Sequence, residues 1–193
     1  NSGSDASTMQ TTCKYQNGNY IINGSKTWIT NAPVADVFII WAKNEQSKVN
    51  GFVLDRNMKG IETHEIKGKM SLKNSLTGSI FLDNVVVPKS HKLLVNGMKG
   101  PLSCLNDARL GISFGVLGSA EKCIETALDY AQNRYLFDNK LAAKQLFQNR
   151  LANMVTEYNL GLLAALNVAD HKDKDTITPE MISLLKRNNC DKC

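Results

Sequence analysis

Residues 20–42 read YIINGSKTWITNAPVADVFIIWA, and how this stretch folds decides the rest. Tyr20-Ile21-Ile22 and Thr27-Trp28-Ile29 are β-rich runs on either side of Asn23-Gly24-Ser25-Lys26. Asn-Gly between two such runs is where a tight turn finds residues that tolerate positive φ, so the pattern predicts a β-hairpin. On its second arm Trp28 and Thr30 stand two residues apart, a spacing that puts both side chains on one face of a pleated strand. An apolar plate beside a hydroxyl suits a planar ligand, and it suits an ordinary core as well. After a break at Asn31-Ala32-Pro33, Val37-Phe38-Ile39-Ile40-Trp41 is a continuous apolar run with the length of a buried strand.

Strand signals continue on both sides. Thr12-Cys13-Lys14-Tyr15 alternates toward a Gln16-Asn17-Gly18 turn, and Gly51-Phe52-Val53-Leu54 follows a polar loop. Residues 61–66 alternate weakly, and Gly78-Ser79-Ile80-Phe81-Leu82 leads through Asp83-Asn84 into Val85-Val86-Val87-Pro88. Short strands at hairpin spacing with no helical segment between them predict an antiparallel β-barrel or sandwich. Between Pro88 and Pro101 the apolar period shifts from two to about 3.6. The chain is expected to divide there, into a β domain over 1–95 and a helical domain over 96–193, which makes the fold class α+β.

In the helical part, Leu105, Ala108, Ile112, Val116, Ala120, Cys123, Ala127 and Ala131 form one stripe of a long helix. Gly111, Gly115 and Gly118 read as packing contacts, because no strand leads into them as a phosphate loop requires. Residues 133–140 are a polar connection. A second helix carries Leu141, Phe147, Leu151, Met154, Tyr158, Leu162, Ala165 and Ala169 on its expected buried side, and the alternating charges of 170–175 read as a solvated loop. Thr178 is the expected cap of a third helix, with Pro179 first, Glu180 in the first turn and Met181, Leu184 and Leu185 facing the core.

Composition narrows the function classes. The 193 residues are 42% apolar and 21% charged, the balance of a folded globular chain. The formal charge of +5 comes from dispersed lysines, not from a basic tract interleaved with aromatics, which argues against a nucleic-acid role. No apolar run approaches the roughly 20 residues of a membrane span, and no signal-peptide pattern opens the chain. Asn1 is not an initiator, and the last helical pattern reaches Cys193 without a stop signal, so the ends are expected to be cut. The five cysteines are odd in number and irregularly spaced, which reads as reduced thiols of an intracellular protein. Cys190 and Cys193 have half a metal-site spacing, but no second pair exists and His64, His91 and His171 lack ligand spacing, so no metal is expected. The carboxylates are scattered, and no nucleophile elbow is present.

Four features remain as ligand candidates. Asn1-Ser2-Gly3-Ser4-Asp5 is a polar turn, either an anion nest or a flexible end. Trp28 and Thr30 offer a flavin-like ring its plate and its donor. Arg109 sits among apolar residues, where a guanidinium needs an acid or a phosphate. Arg134, Phe137 and Gln145 place a charge, an aromatic and an amide near a helix start. Together they describe a two-domain protein suited to a phosphorylated planar ligand.

At these residues the chain resembles the acyl-CoA dehydrogenases. The likeness is carried by the Asn-Ser-Gly-Ser-Asp opening, by Asn23-Gly24-Ser25-Lys26-Thr27-Trp28-Ile29-Thr30-Asn31, by Arg134-x-x-Phe137 with Gln145, and by the segment from Pro179 to Cys190. That last segment, with Leu105-Asn106-Asp107-Ala108-Arg109, is most similar to the glutaryl-CoA dehydrogenases. The resemblance implies a middle β-barrel domain, part of a C-terminal helical bundle, and FAD as cofactor. Trp28 with Ile29 would pack on the isoalloxazine ring, and Thr30 would hydrogen-bond near its N5. Asn1, Ser2, Gly3 and Ser4 would line the cofactor, Ser4 also touching the acyl-pantetheine. Leu102, Leu105, Asn106 and Arg109 would face the CoA chain, while Arg134, Phe137 and Gln145 would meet the adenosine diphosphate part of FAD, often that of a neighbouring subunit in a homotetramer.

The reaction so implied is removal of an α-proton by a glutamate with hydride passing to the flavin, then loss of carbon dioxide from glutaryl-CoA to leave crotonyl-CoA. Electron-transfer flavoprotein would be the acceptor, and the mitochondrial matrix or a bacterial cytoplasm the location. The resemblance puts that glutamate beyond Cys193 and the recognition of the distal carboxylate before Asn1. The expectation is therefore a fragment, inactive by itself. A short- or branched-chain acyl-CoA dehydrogenase and a catalytically silent flavin or acyl-CoA binder are the alternatives. Asp138 stands where the family has Gly after the Phe, and Leu136 replaces a polar residue; an acid beside a pyrophosphate is unfavourable unless it points away.

Overall fold

The structure is a computed structural model and describes residues 2–193; the Asn1 assignment lies outside the described residues. The chain forms two compact units, Asn1–Leu102 and Ser103–Cys193.

Among the described residues, the first unit is built on seven strands: β1 (Thr12–Gln16), β2 (Asn19–Thr30), β3 (Val37–Lys43), β4 (Val49–Asp55), β5 (Ile61–Glu65), β6 (Thr77–Pro88) and β7 (Lys92–Asn96). They pair in the order β5-β6-β2-β1-β3-β4-β7, antiparallel throughout except for β1 and β3, which run parallel through Thr12 and Lys43. The order has two ends, so the barrel expectation becomes an open, mostly antiparallel sheet. Closure would need β5 and β7 to pair, and both are only five residues long.

The hairpin predicted over residues 20–29 does not form. The turn lies earlier, at Asn17 (φ 49°) and Gly18 (φ 80°), which join β1 to β2. Asn23-Gly24 instead runs inside β2, a single strand of 12 residues that pairs with the equally long β6. Continuing the ladder gives every backbone N–H and C=O in the stretch a chance of a partner, and that outweighs a local turn preference. Gly24 keeps a positive φ of 142°, and a Cβ there would stand 2.8 Å from Thr11 Cα, so the position requires glycine.

The core of this unit gathers Ile22, Phe38, Ile40, Ala42, Phe52, Leu54, Ile80, Leu82, Val85 and Val87. β3 is not buried on both faces as its continuous apolar run suggested. Phe38, Ile40 and Ala42 point inward while Val37 and Ile39 are 57% and 53% exposed. Strand β7 crosses the division expected between residues 95 and 96, ending at Asn96.

The second unit contains most of α1 (Lys99–Asn133), the short strands β8 (Tyr135–Leu136) and β9 (Asn139–Lys140), α2 (Gln145–Asp173) and α3 (Pro179–Lys192). Leu110, Leu117, Ala165, Val168, Ile182 and Leu185 form its core, with Tyr158, Leu162 and Met181 against it. Of the predicted stripe of α1, Ala131 is buried and Val116, Ala120 and Ala127 are partly buried, but Leu105 and Ile112 stay 41% and 47% exposed, and Leu110, Ser113 and Leu117 take the core places instead. Apolar residues lie all around α1, so periodicity could not select the face. On α3, Ile182 takes the core place expected of Leu184, which is 65% exposed. Residues 170–173 are the last turn of α2, not a loop, and Lys174 Nζ pairs with Asp170 Oδ2 at 2.6 Å. Thr178 caps α3 as predicted, accepting from Met181 N at 3.4 Å.

A Cβ at Gly111 or Gly118 would meet nothing within 4 Å among the described residues, so they are not the close-approach glycines. That role falls to Gly161 on α2, where a Cβ would stand 2.9 Å from Asn189 Oδ1. Asn189 is 1% exposed and donates through Nδ2 to Ser113 O at 3.0 Å and Gly161 O at 3.3 Å. One amide thus ties all three helices.

Candidate functional site

Strand β2 carries the ring-sized features of the first unit, and it does so through two irregularities in its pairing with β6. Between the pairs Ile22–Val85 and Gly24–Leu82, two residues of β6, Asp83 and Asn84, face Asn23 alone. Between Lys26–Ile80 and Ile29–Gly78, two residues of β2, Thr27 and Trp28, face Ser79 alone. These are β-bulges, each an extra residue on one strand. Asn84 (φ 48°) and Trp28 (φ 62°) have the left-handed backbone that turns a side chain out of the pleat. Asn23 holds the first bulge, accepting from Asn84 N at 2.7 Å and donating to Asn84 Oδ1 at 3.2 Å. The second bulge leaves Trp28 65% exposed, a large aromatic that the sheet does not bury.

Trp28 borders two hollows. The larger, about 720 Å³, is lined by Ser2, Gly3, Lys26, Thr27, Trp28 and Ile29 among others. The other, about 440 Å³, lies between Trp28 with Thr30 and the segment that carries Lys69, Met70, Leu72, Ser75 and Thr77. A third hollow of about 340 Å³ enters the sheet beside Phe38, Ile40 and Ile80, with Lys26, Thr30 and Ser2 as its polar lining. Among the described residues no carboxylate lines any of the three, whereas two lysines do. Burial lowers the pKa of the Lys26 ammonium from its ordinary value. Asp5 is engaged elsewhere, accepting from Ser7 N at 3.0 Å as the cap of a short 3-10 turn.

The predicted residues of this unit sort clearly. Ser2, Gly3, Trp28, Ile29 and Thr30 all line one or more of the hollows, and Trp28 and Thr30 share one. Ser4 is exposed and lines none of them. Leu102 is 44% exposed. Lys26 and Lys69 were missed as lining residues, since a lysine in a strand or loop carries no pattern that marks it.

In the second unit, Arg109 is half-buried and donates through Nη1 to Asn106 Oδ1 at 3.0 Å, three residues back on its own helix. Among the described residues this amide, not the acid that was one of its two expected partners, meets the guanidinium. Leu105 is 41% exposed. Strands β8 and β9 make a hairpin whose two turn residues, Phe137 (φ 50°) and Asp138 (φ 58°), both have positive φ. Such a turn favours Gly or Asn and tolerates Asp, which accounts locally for the departure at 138. Phe137 is 88% exposed, with Lys144 Nζ 5.7 Å from its ring centroid. Arg134 and Gln145 are exposed on either side of this hairpin.

The geometry defines a class before it defines a family: an α+β chain whose sheet presents an exposed aromatic plate, hydroxyls and ammonium groups to a ring-sized hollow. That donor set fits an electron-poor planar ring that gains negative charge, such as a flavin. Residues 1–85 match the acyl-CoA dehydrogenase middle domain, and residues 96–193 match the acyl-CoA dehydrogenase C-terminal domain. The chain belongs to the acyl-CoA dehydrogenase family, whose members are FAD-dependent oxidoreductases.

Among its relatives, a glutaryl-CoA dehydrogenase of Mycobacterium smegmatis, solved in complex with FADH2, is 41% identical with a TM-score of 0.93, over 96% of this chain and 48% of that one. The glutaryl-CoA dehydrogenase of Desulfococcus multivorans is 35% identical over 89% of this chain and 46% of its own length. The 3-(aryl)acrylate reductase of Clostridium sporogenes is also 35% identical, over 89% of this chain and 47% of its own length. The chain thus spans about half the length of the curated relatives it matches. Among the described residues no helix is long and apolar enough to cross a membrane, and no group of three His, Cys, Asp or Glu is placed to hold a metal ion.

Proposed function

We propose that this chain is the flavin-holding part of an FAD-dependent acyl-CoA dehydrogenase that oxidises and decarboxylates glutaryl-CoA to crotonyl-CoA. The observation that carries the reading is Trp28, turned out by its bulge and 65% exposed beside Thr30 and a carboxylate-free hollow. Bound there, FAD supplies the two-electron acceptor.

The residues of this chain bind and orient. Trp28 and Ile29 offer the ring an apolar face, and the Thr30 hydroxyl is available as a donor at its edge. Ser2 and Gly3 line the larger hollow together with Trp28 and Ile29, and Asn1 is assigned to the cofactor with them. Lys26 lines the hollow beside Trp28, where burial lowers its pKa and where its ammonium, when charged, would favour a ring gaining electrons. Arg134, Phe137 and Gln145 are assigned to the adenosine diphosphate part of FAD from a neighbouring copy in a homotetramer. Leu102, Leu105, Asn106 and Arg109, with Ser4, are assigned to the CoA chain. The proton-abstracting glutamate and the group that reads the distal carboxylate are assigned to parts of the protein outside these residues. Electron-transfer flavoprotein is the proposed acceptor, in a mitochondrial matrix or a bacterial cytoplasm.

Two glutaryl-CoA dehydrogenases among the relatives and the segment from Pro179 to Cys190 support the substrate. The test is the visible absorption spectrum of the full-length protein, followed by anaerobic addition of glutaryl-CoA and, separately, of short- and branched-chain acyl-CoAs. A bound-flavin spectrum that bleaches with glutaryl-CoA supports the proposal. Bleaching only with another acyl-CoA reassigns the substrate, and a flavin that stays oxidised with all of them makes the protein a silent binder.

A further inference from the structure

The loop between β5 and β6 is closed around one side chain. Lys69 Nζ donates to Leu72 O at 2.9 Å, to Ser75 O, and to Thr77 Oγ1 at 3.0 Å. The Thr77 hydroxyl donates in turn to Ser75 O at 2.9 Å. An ammonium has three donors, and here all three are engaged, two by loop carbonyls and one by the hydroxyl of Thr77 at the start of β6, with no carboxylate among them. Thr77 is 8% exposed and is the register partner of Thr30, while Asn31 N donates to Leu76 O at 2.7 Å. The ammonium is therefore joined, through one pair of residues, to the end of β2 that carries Thr30.

What this closure leaves outside is as informative. Met70 is 98% exposed and Leu72 is 79% exposed with φ 49°, so the loop is not held by packing of its own apolar side chains. Both line the hollow that Trp28 and Thr30 share, as does Lys69 itself. The segment is a wall of the ring site, and its shape depends on a polar clasp instead of a core.

From this geometry we infer that Lys69 is a positioning residue for the flavin site: its three-way clasp fixes the loop of residues 68–76 as a wall opposite Trp28 and sets the placement of Thr30. The inference rests on the flavin reading given above. It assigns Lys69 no contact with a substrate. Its demand is for tetrahedral donors, not for charge alone, because three acceptors converge on one atom. The planar guanidinium of an arginine carries the charge but cannot aim three donors at these oxygens from the same point.

The test uses the full-length protein and its variants Lys69→Met and Lys69→Arg, with FAD affinity of the deflavinated protein and the visible circular dichroism of the bound flavin as readouts. Lack of flavin binding by the unaltered protein would sink the flavin reading itself, whatever the variants do. Given binding by the parent, both variants are expected to hold FAD about tenfold more weakly and to change its visible dichroism, while their far-ultraviolet spectra match the parent. Parent-like affinity and dichroism in Lys69→Met would overturn the inference. So would full recovery in Lys69→Arg, since that would assign the effect to charge. Should Lys69→Met fail to fold, Thr77→Val removes a single acceptor from the clasp and is expected to show the same dichroism change with a smaller affinity loss; an unchanged flavin there overturns the inference too.

Discussion

The tightest constraint in the helical unit is the space between α2 and Asn189, and a pair of glycine-to-alanine changes measures it. In an exposed helix interior, alanine in place of glycine gains about 0.5–1 kcal/mol through backbone entropy. Gly118→Ala on α1 should gain that amount, because a Cβ there meets nothing within 4 Å among the described residues. Gly161→Ala starts with the same gain but puts its Cβ 2.9 Å from Asn189 Oδ1 and 3.1 Å from Leu117 Cδ2. The amide must shift by several tenths of an ångström, which breaks its hydrogen bonds to Ser113 O and Gly161 O in a buried setting. Buried polar groups left unpaired cost about 1–3 kcal/mol each, so Gly161→Ala should lose about 1–3 kcal/mol net, and the two variants should differ by about 1.5–4 kcal/mol. Urea unfolding followed by far-ultraviolet circular dichroism reads this as midpoints moving in opposite directions at an unchanged slope. If Gly161→Ala stabilises as Gly118→Ala does, the amide is not locked between the helices and the account of this core is wrong.

Three further outcomes follow from the site and the sheet. Trp28→Ala should leave the fold intact, because the side chain is 65% exposed, and should weaken FAD binding at least tenfold, read by flavin release during dialysis; retained flavin would remove Trp28 from the site. Asp138→Gly should relieve the left-handed backbone at φ 58° and raise the thermal midpoint by the equivalent of about 0.5–1 kcal/mol, and it should also strengthen FAD binding if the hairpin meets a pyrophosphate; stability that rises without any change in FAD binding would separate the two effects. Burial raises the Cys13 thiol from its usual 9.0 to about 11. The folded state therefore holds that proton more firmly than the unfolded state. The associated stability is full below pH 9 and is lost as pH rises toward 11, an effect of order 1–2 kcal/mol that Cys13→Ala should abolish in an alkaline unfolding series.

Element types were largely legible in the sequence, and element partners were not. The cap at Thr178 and the Asn17-Gly18 turn depend on residues within a few positions of one another, so local chemistry predicted them. The supposed hairpin at Asn23-Gly24 had the same local chemistry and failed, because the alternative was continuous pairing of a 12-residue strand with β6, whose partner for Gly24, Leu82, lies 58 residues away. The buried face of α1 escaped periodicity because apolar residues encircle the helix. Of the residues that line the hollows, Trp28 and Thr30 could be singled out by residue type and spacing. Their real relation depends on a bulge that moves Trp28 out of the alternation assumed for it. Lys69 could not be found, since its acceptors are two loop carbonyls and one strand hydroxyl that no sequence pattern links to it.

The two bulges between β2 and β6 are opposite in sense. The first adds a residue to β6 and the second adds one to β2, so the pairing beyond Ile29 resumes the register it had before Asn23. Trp28 therefore behaves as an insertion whose length is already compensated in the opposing strand. Deleting it alone would shift every later pair and turn the residues leading to Thr77 and Thr30 onto the wrong faces. Deleting Trp28 and Asn84 together would leave a regular ladder of the same register, with the core in place and the aromatic plate gone. Two single-codon changes could thus add or remove the exposed tryptophan without redesigning the domain that carries it.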